Sequence, residues 1–336
     1  MNNSQKAKIL FFLGSLTSSI SAHAFSKNKE APTPPAQPYY YDANSHDVFI
    51  FSDYLFWKPF VSNGLDWVQI PASSLPQLPV MNFNWGSGFR AEVGYRGAQS
   101  KTGNYVHPWQ VQATYLTYQT KAPTTRGSNN PPIVFNYFSN SSFTYDRIDL
   151  SAAWPFWLST NAIFRILIGA SGVKLQDKNT VISHTLNMIT SNVESDNWKF
   201  NWNYTAAGIL TGADACLPLG CGFGLFANLT ALFLGGNFKE KAQYTHIDTP
   251  LEFEFKRNNT LKAVPKSIID FRTGLDFKYW LQKSCLVYLF LGYEITWMIE
   301  MDQLRRQLDI AEEQIFTNTP TTMGTQGMTI RFGFEF

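Results

Sequence analysis

An alternation of apolar and polar residues, repeated along most of the chain, is the feature that most restricts how this sequence can fold. In WGSGFRAEVGYR, residues 85–96, mostly apolar residues form one row, and glycine, arginine and glutamate form the other. Successive side chains of a β-strand point to opposite sides of the sheet, so such a stretch predicts a two-faced strand. Similar rows occupy residues 109–117, 146–154, 164–170, 269–279 and 287–297.

The chain ends in GMTIRFGFEF, and the alternation continues to the final residue, Phe336. An edge strand with so aromatic a face would be an aggregation site. If this strand pairs with the first one, the sheet closes into a barrel and lipid covers the apolar row. A C-terminal aromatic residue also resembles the signal that barrel-insertion machinery reads. We therefore expect Phe336 to be a membrane-insertion signal and that machinery to be a partner.

The N-terminal region has the features of a secretory signal peptide. Two lysines precede a short apolar run, and an Ala-His-Ala triplet ending at residue 24 has the small-x-small form of a cleavage site. The apolar run is well short of the ~20 residues that a membrane-anchor helix needs. We expect residues 1–24 to be a cleaved signal peptide, 25–46 a Pro-rich periplasmic linker, and 47–336 an outer-membrane β-barrel.

The composition fits a membrane barrel better than a soluble domain. Aromatic residues make up 16% and charged residues 15% of the chain, whereas a typical soluble domain is about 25% charged. The most apolar stretch of the mature chain, Cys285 to Tyr293, is too short for a spanning helix. The net charge is +2, and no basic run indicates a nucleic-acid partner.

The alternating runs predict an all-β fold of about ten antiparallel strands, with 12–16 strands left open. We expect strands near residues 47–57, 84–97, 106–119, 142–155, 161–177, 198–215, 221–238, 265–280, 284–300 and 325–336. Their connections alternate between short and long, as in outer-membrane barrels with short periplasmic turns and long outer loops. A soluble β-sandwich would not sort its connections in this way. The long outer loops would cover residues 58–83, 120–141, 178–197, 239–264 and 301–324.

Two further expectations concern the ends of the strands. Several tryptophans near strand ends would form an aromatic girdle at the membrane interface. They are Trp57, Trp85, Trp109, Trp154 and Trp297. In the last outer loop, apolar residues at helical spacing between Leu304 and Ile315 predict a short helix. This helix would either pack on the rim or fold into the mouth and narrow it.

Several framework stretches resemble one family of proteins. They are residues 47–68 (DVFIFSDYLFWKPFVSNGLDWV), 146–172, 219–238, 292–299 and the C-terminal strand. These stretches resemble the major outer membrane protein-like, pore-forming family of legionellae and chlamydia-related bacteria, over most of the chain except the outer loops. The resemblance implies an abundant outer-membrane barrel of a Gram-negative bacterium, a porin, with no catalytic residues.

The polar rows predict the residues that line the interior of the barrel. The expected pore-lining residues are Arg90, Glu92, Arg147, Asp149, Arg165, Asp270, Arg272, Asp276, Lys278, Glu294, Arg331 and Glu335. Their balanced charge is consistent with a narrow, weakly selective pore for passive diffusion of small solutes and ions. Such a pore is the predicted function. The same balance also allows internal salt bridges that fill the lumen, because ten strands enclose little more space than side chains occupy. The alternative function is then a closed surface barrel that acts as an adhesin or as a disulfide-linked envelope scaffold.

Three cysteines in an exported chain allow one disulfide and one free thiol. Cys216 and Cys221 flank the short LPLG turn, and a bridge between them requires their Cα atoms to lie within about 7 Å. Cys285 follows another periplasmic turn. It would stay free or cross-link to another envelope protein.

The sequence gives no indication of enzymatic chemistry, a cofactor or a metal site. It contains no G-x-S-x-G motif, and its histidines lack metal-ligand spacing. His246 and Asp248 in an expected outer loop are the closest approach to the His–Asp couple of ten-stranded outer-membrane proteases. The glycines of GCGFG (residues 220–224) more simply ease strand curvature or leave space in the lumen. Outer-membrane lipid is the other expected partner, and a homo-oligomer is left open.

Overall fold

The computed structural model gives the fold of most of residues 47–336. The residues that it describes are 47–61, 83–97, 100–102, 105–107, 109–128, 133–159, 162–187, 192–248, 251–282, 285–307 and 316–336. The expected signal peptide and linker, residues 1–46, lie outside this set. No helix in the described part of the chain is long and apolar enough to cross a membrane.

The described residues form a closed antiparallel barrel of ten strands, as the alternation predicts. In chain order the strands are β1 (Asp47–Val61), β2 (Gly86–Arg96), β3 (Ser100–Thr102), β4 (Tyr105–His107), β5 (Gln110–Ser128), β6 (Ile133–Ser159), β7 (Ala162–Asn187), β8 (Asn192–Gly220), β9 (Phe223–Asp248), β10 (Leu251–Gln282), β11 (Cys285–Gln307) and β12 (Phe316–Glu335). The short strands β3 and β4 form a separate hairpin, and the other strands follow one another around the wall.

The last strand closes the barrel by pairing with the first. Ile50 of β1 lies opposite Phe334 of β12, and the ladder continues without a shift to Val61 and Met323. At the extreme end, the amide of Val48 donates to the carbonyl oxygen of Phe336 at 2.8 Å, and the amide of Phe336 donates back at 3.0 Å. The alternation therefore runs to the last residue because that residue is still part of the barrel wall.

An apolar belt surrounds the barrel next to its short turns. On β6 the exposed outward row runs from Ile148 to Trp154, and on β9 it runs from Phe223 to Phe233. The β9 row spans 11 residues, which fits the 9–11 residues with which a tilted strand crosses a bilayer, whereas the exposed row on β6 spans seven. Trp85, Trp109 and Trp154 are exposed at the ends of the belt, as expected of a girdle. The expectation for Trp57 is wrong, because this side chain points into the barrel and is 1% exposed.

Beyond the belt the strands continue, so most of the predicted long loops are wrong. Residues 120–128 and 133–141 pair with each other as the upper parts of β5 and β6. The upper parts of β7 to β10 extend in the same way through residues 178–187 and 239–248. In water neither face needs to be apolar, so the alternation disappears although backbone pairing continues. Residues 62–82 lie outside the described set.

The helix expected in the last outer loop is wrong for the residues that the structure describes there, because they form a strand. Residues 301–307 belong to β11, and Leu304 pairs with Thr319 of β12. A register shift separates this segment from the lower part of the ladder, between Met298 and Asp302. Residues 308–315, which carry the rest of the helical spacing, lie outside the described set.

The GCGFG glycines have two separate roles. Gly220, Cys221 and Gly222 have φ angles of 106°, 51° and 86° and form the left-handed turn between β8 and β9, a conformation that glycine adopts without steric cost. Gly224 leaves space in the lumen, because a Cβ atom there would lie 2.3 Å from Oδ1 of Asp276.

The position of Phe336 predicts a defect in assembly rather than in stability. Phe336→Ser keeps the backbone pairing with Val48 but removes an aromatic ring that is 55% exposed on the outside. We expect the amount of heat-modifiable barrel in the outer membrane to fall several-fold, while the refolded variant unfolds in urea within about 1 kcal/mol of the native chain. Phe334→Ser, two residues earlier on the same row, is the matched control. Equal assembly of Phe336→Ser and the native chain would contradict an insertion signal.

Candidate functional site

The interior of the barrel holds the charged residues that the polar rows predicted. All twelve expected pore-lining residues belong to the inward rows of their strands, and most are buried. From the short turns upward, they form a layer at the periplasmic end and a second layer at the level of the apolar belt. An apolar cluster and then a small polar cluster on β6 and β7 follow above them.

Asp53 of β1 is the centre of the middle layer. Its carboxylate is 1% exposed and accepts hydrogen bonds from Arg331 Nε at 2.6 Å and from Arg90 Nη1 at 3.0 Å. Arg272 Nη1 lies 3.5 Å from the same carboxylate. Three arginines from three different strands therefore share one acid at the level of the membrane.

Further ion pairs connect strands that are not neighbours in the wall. Arg90 Nη2 donates to Glu294 at 2.6 Å, and Arg331 Nη2 donates to Glu92 at 2.9 Å. Arg147 of β6 pairs with its neighbour Asp149 and with Asp270 of β10. Because β7, β8 and β9 separate β6 from β10 in the wall, the Arg147–Asp270 pair spans the interior. These cross-links occupy the space that an open channel would need.

The periplasmic layer consists of smaller pairs. Arg96 of β2 pairs with Glu335 of β12. Arg165 donates to Asp214 at 2.7 Å and to the side-chain oxygen of Gln110 at 3.0 Å. Lys278 lies 3.3 Å from Asp276.

All three cysteines are free thiols in the structure, and the Cys216–Cys221 bridge is not formed. The sulfur of Cys216 points into the barrel and lies 3.9 Å from Asp276 Oδ2, whereas Cys221 is exposed in the turn. Cys285 is half-buried on the outward row at the first residue of β11. A cross-link through Cys285 to another envelope protein stays a prediction.

A continuous apolar cluster fills the lumen above the charged layers, at the outer edge of the belt. We call it the plug. Its buried members are Leu55, Trp57, Phe83, Leu116, Tyr118, Ala122, Phe143, Tyr145, Val173, Leu175, Trp202, Tyr204, Ala206, Leu232, Leu234, Phe238, Ile268, Met298 and Met323. Except for Phe83, which lies just before β2, they come from β1 and from every strand from β5 to β12. Buried apolar side chains therefore project inward from most of the wall, and the rings of Trp202 and Phe238 on the adjacent strands β8 and β9 stack at 5.7 Å.

A cavity of about 70 Å³ remains within the middle layer. Arg90, Arg147, Asp270, Arg272 and Glu294 contribute to its lining. Nε of Arg272 is buried without a hydrogen-bond partner among the described residues. A polar cavity of this size can hold a few water molecules that complete such hydrogen bonds.

A polar cluster of Ser141, Asp177 and Asn179 on β6 and β7 lies above the plug, outside the membrane-spanning part of the wall. Asp177 of β7 is 2% exposed and accepts hydrogen bonds from Asn179 Nδ2 at 2.7 Å and from Ser141 Oγ at 3.4 Å. No cation pairs with it among the residues that the structure describes. Burial raises the pKa of its carboxyl to about 7.

Sequence reasoning missed the centre of the site and the plug. Asp53 was not among the predicted residues because both rows of β1 are largely apolar, and a lone acid in VFIFSDYLFW, residues 48–57, does not reveal which row faces inward. Trp57, Trp202 and Tyr204 were not expected inside because an outer-membrane strand normally has its apolar row towards lipid. Asp53 could have been found from its position alone. A charged residue within an apolar strand at membrane level requires a buried partner, so it should face the interior.

The described residues contain no group of three His, Cys, Asp or Glu side chains that could hold a metal ion. His246 and Asp248 lie in β9 rather than in a loop, and His246 is opposite Asp196 of β8 in the ladder.

The family of the chain follows from its sequence over the whole barrel. A family model described as Legionella pneumophila major outer membrane protein precursor matches residues 43–336. The chain belongs to this family. It is therefore an outer-membrane β-barrel protein of the major outer membrane protein family. No curated protein matches it.

Several solved structures are similar to the chain at low identity. The outer membrane protease OmpT from Escherichia coli is 9% identical, with 93% of this chain and 99% of that chain covered and a TM-score of 0.39. The transport unit of the autotransporter AIDA-I from Escherichia coli is 6% identical, with 96% and 97% covered and a TM-score of 0.30. A FadL homologue of Pseudomonas aeruginosa is 4% identical, with 87% and 90% covered and a TM-score of 0.24.

Removing the charge of Asp53 should destabilise the barrel strongly. Asp53→Asn leaves Arg90, Arg272 and Arg331 close together without their shared acid. Loss of one partner from a buried ion pair costs about 3–5 kcal/mol, and urea unfolding of the refolded barrel would measure it. Asp149→Asn is the matched control, because Arg147 keeps Asp270 as a second partner. Equal loss in the two variants would contradict a central role for Asp53.

Asp177 should make stability depend on pH. Its pKa is about 7 in the folded barrel and near 3.8 when exposed, so the folded state binds the proton more tightly. The free energy of unfolding should therefore fall as the pH rises from about 4 to about 7. Asp177→Asn should stabilise the barrel by about 2–4 kcal/mol at pH 8 and change it little at pH 4. An equal effect of the substitution at both pH values in urea unfolding would contradict this interpretation.

Proposed function

We propose that this outer-membrane barrel is closed to diffusing solutes and acts as a surface scaffold. The observation that carries the proposal is the plug, to which nearly every strand of the wall contributes buried side chains. A diffusion pore needs a continuous wet path, whereas the plug is apolar and close-packed at the outer edge of the belt. Removal of water from this level would also strengthen the ion pairs below it.

The charged residues of the middle layer support the same proposal as the apolar plug. A selectivity ring in a pore presents its charges to water and passing ions. Here Asp53, Arg90, Glu294 and Arg331 are each less than 10% exposed and bond to one another. Charges that already satisfy each other have little capacity left to coordinate a moving ion.

A closed barrel would act through its outer surface. The upper parts of β6 to β10 rise well beyond the belt, because these strands contain between 26 and 32 residues, against the ~10 residues that a bilayer requires. Such a wall would hold the hairpin tips at a fixed distance from the membrane. We propose that it presents an adhesive surface, and that Cys285 at the opposite end offers a thiol for a link to the envelope.

A narrow, weakly selective porin is the second candidate. The cavity of about 70 Å³ favours it, since charged side chains surround polar space at the level of the membrane. The polar inward rows continue to the periplasmic end through Asp276 and Lys278. Conduction would require the plug to rearrange, for example by rotation of Trp57 and Trp202 away from the centre.

Planar-bilayer conductance separates the two functions. We expect the refolded, heat-modifiable protein to give no discrete conductance steps, under conditions in which a porin refolded in the same way conducts. Steps with a reproducible single-channel size would overturn the closed-barrel proposal and leave the porin.

A charge variant then tests what the inward acids do. In a closed barrel, Asp270→Asn with Asp276→Asn should lower stability in urea without producing current, because Asp270 pairs with Arg147 and Asp276 with Lys278. In a pore the same change would shift ion preference towards anions at little cost in stability. Asp146→Asn, which removes an outward-facing carboxylate, is the matched control.

A further inference from the structure

The outward surface of β5 to β10 changes its chemistry above the apolar belt. Large apolar residues give way to threonine, asparagine, glutamine and serine, and then to exposed lysines. We call these lysines the lysine face. They are Lys121, Lys174, Lys178, Lys199, Lys239, Lys241, Lys256 and Lys262.

The strand register aligns these lysines into rows. Following the ladder pairs from β5 to β10, one row reads Lys121, Ser142, Lys178, Asn201, Lys241, Asn258. Each strand adds about 4.8 Å, so successive lysines in this row are about 10 Å apart. Lys239 lies two residues below Lys241 on β9, about 7 Å away. The result is a two-dimensional array of ammonium groups separated by neutral hydrogen-bonding side chains.

Few acids balance this array. Among the outward side chains that the structure describes on this part of the wall, the acids are Asp146 and Glu254. Asp146 accepts a hydrogen bond from the Thr117 hydroxyl at 2.7 Å, and Glu254 pairs with Lys256 at 2.8 Å. The rest of the lysine face forms no ion pair with the described residues, so it presents a strong positive charge.

The position of the lysine face restricts its partner. Lys239 is six residues above Phe233, the last large apolar residue of the belt on β9. With about 3.3 Å per residue and a tilt near 40°, it stands about 15 Å above the apolar edge. The phospholipid headgroup region is only about 5–8 Å thick. The lysines therefore lie above that region, and they face sideways from the wall rather than into the mouth.

We propose that the lysine face binds the anionic saccharide part of lipopolysaccharide, the glycolipid of the outer leaflet. Its phosphate and carboxylate groups carry the charge that an ammonium array attracts. Its sugars extend above the acyl chains to the height of the lysines, and the intervening Asn and Thr side chains can hydrogen-bond to their hydroxyls. The proposal does not depend on whether the lumen is open or closed.

Binding of purified glycolipid to the refolded mature protein in neutral detergent tests this site. The probe is lipopolysaccharide that carries its core phosphates, compared with the same material after dephosphorylation. We expect Lys178→Gln, Lys239→Gln and Lys241→Gln together to weaken binding at least tenfold. The corresponding triple arginine variant keeps the charge and should bind within about twofold of the native chain. Lys58→Gln, on the outward row of β1 away from the lysine face, should bind like the native chain.

The affinity of the native chain should also fall with rising salt, and the dephosphorylated glycolipid should bind more weakly. Unchanged affinity in the triple glutamine variant would overturn the proposal, as would equal loss in the arginine variant. Equal binding of phosphatidylglycerol vesicles and lipopolysaccharide would assign the surface to phospholipid instead and also overturn it. Heat-modifiable mobility confirms folding of each variant. If the triple variant does not fold, Lys178→Gln and Lys241→Gln are measured singly, each with an expected loss of at least twofold.

Discussion

The pairing of buried charges inside the barrel is the constraint on which the rest of the structure depends. Removal of an arginine or a carboxylate from water costs several kcal/mol unless a partner replaces the water. Asp53, Arg90, Arg272 and Arg331 meet this requirement only when β1, β2, β10 and β12 stand in their observed register. A shift of one residue would send these side chains into lipid, where the cost would be larger still. The ion pairs thus select the register that also closes the barrel.

Where lipid borders the wall, the fold could be predicted from the sequence, and elsewhere it could not. The belt requires apolar side chains on one row and tolerates polar ones on the other, and this contrast identified the strands from 84–97 to 325–336. Above the belt both faces of β7 to β10 meet water or a packed interior. Stretches such as Lys178–Asn187 therefore lost the alternation and were mistaken for loops. Backbone pairing alone extends the strands there, and it leaves little trace in the order of side chains.

The sequence predicted which charged residues face the interior, but it did not predict which of them pair with one another. Arg147 and Asp270 were both expected inside the barrel, yet their pairing depends on how the closed wall brings β6 opposite β10. Strand alternation reports the face of a residue and not its height, and cross-lumen distances depend on both. The plug was missed for a related reason. Tyr145 and Trp202 interrupt the inward polar rows where the wall leaves the membrane, and the residues beside them on the outward row, such as Asp146 and Asn203, are polar, so the apolar residues change faces there.

The order of the layers has a physical reason. An apolar plug next to ion pairs excludes water from them, and a lower local dielectric strengthens each pair. The plug itself gains because its residues are buried on all sides, with Leu55, Phe143, Leu175 and Ile268 at 0% exposure. The same strands that turn Trp202 and Phe238 inward carry Lys199 and Lys241 outward a few residues further on. Here the plug supplies apolar side chains to the interior while the exterior is charged, whereas within the membrane the exterior is apolar and the interior holds the ion pairs. The wall inverts its polarity because the solvent outside changes from lipid to the aqueous layer, whereas the interior must be packed at both levels.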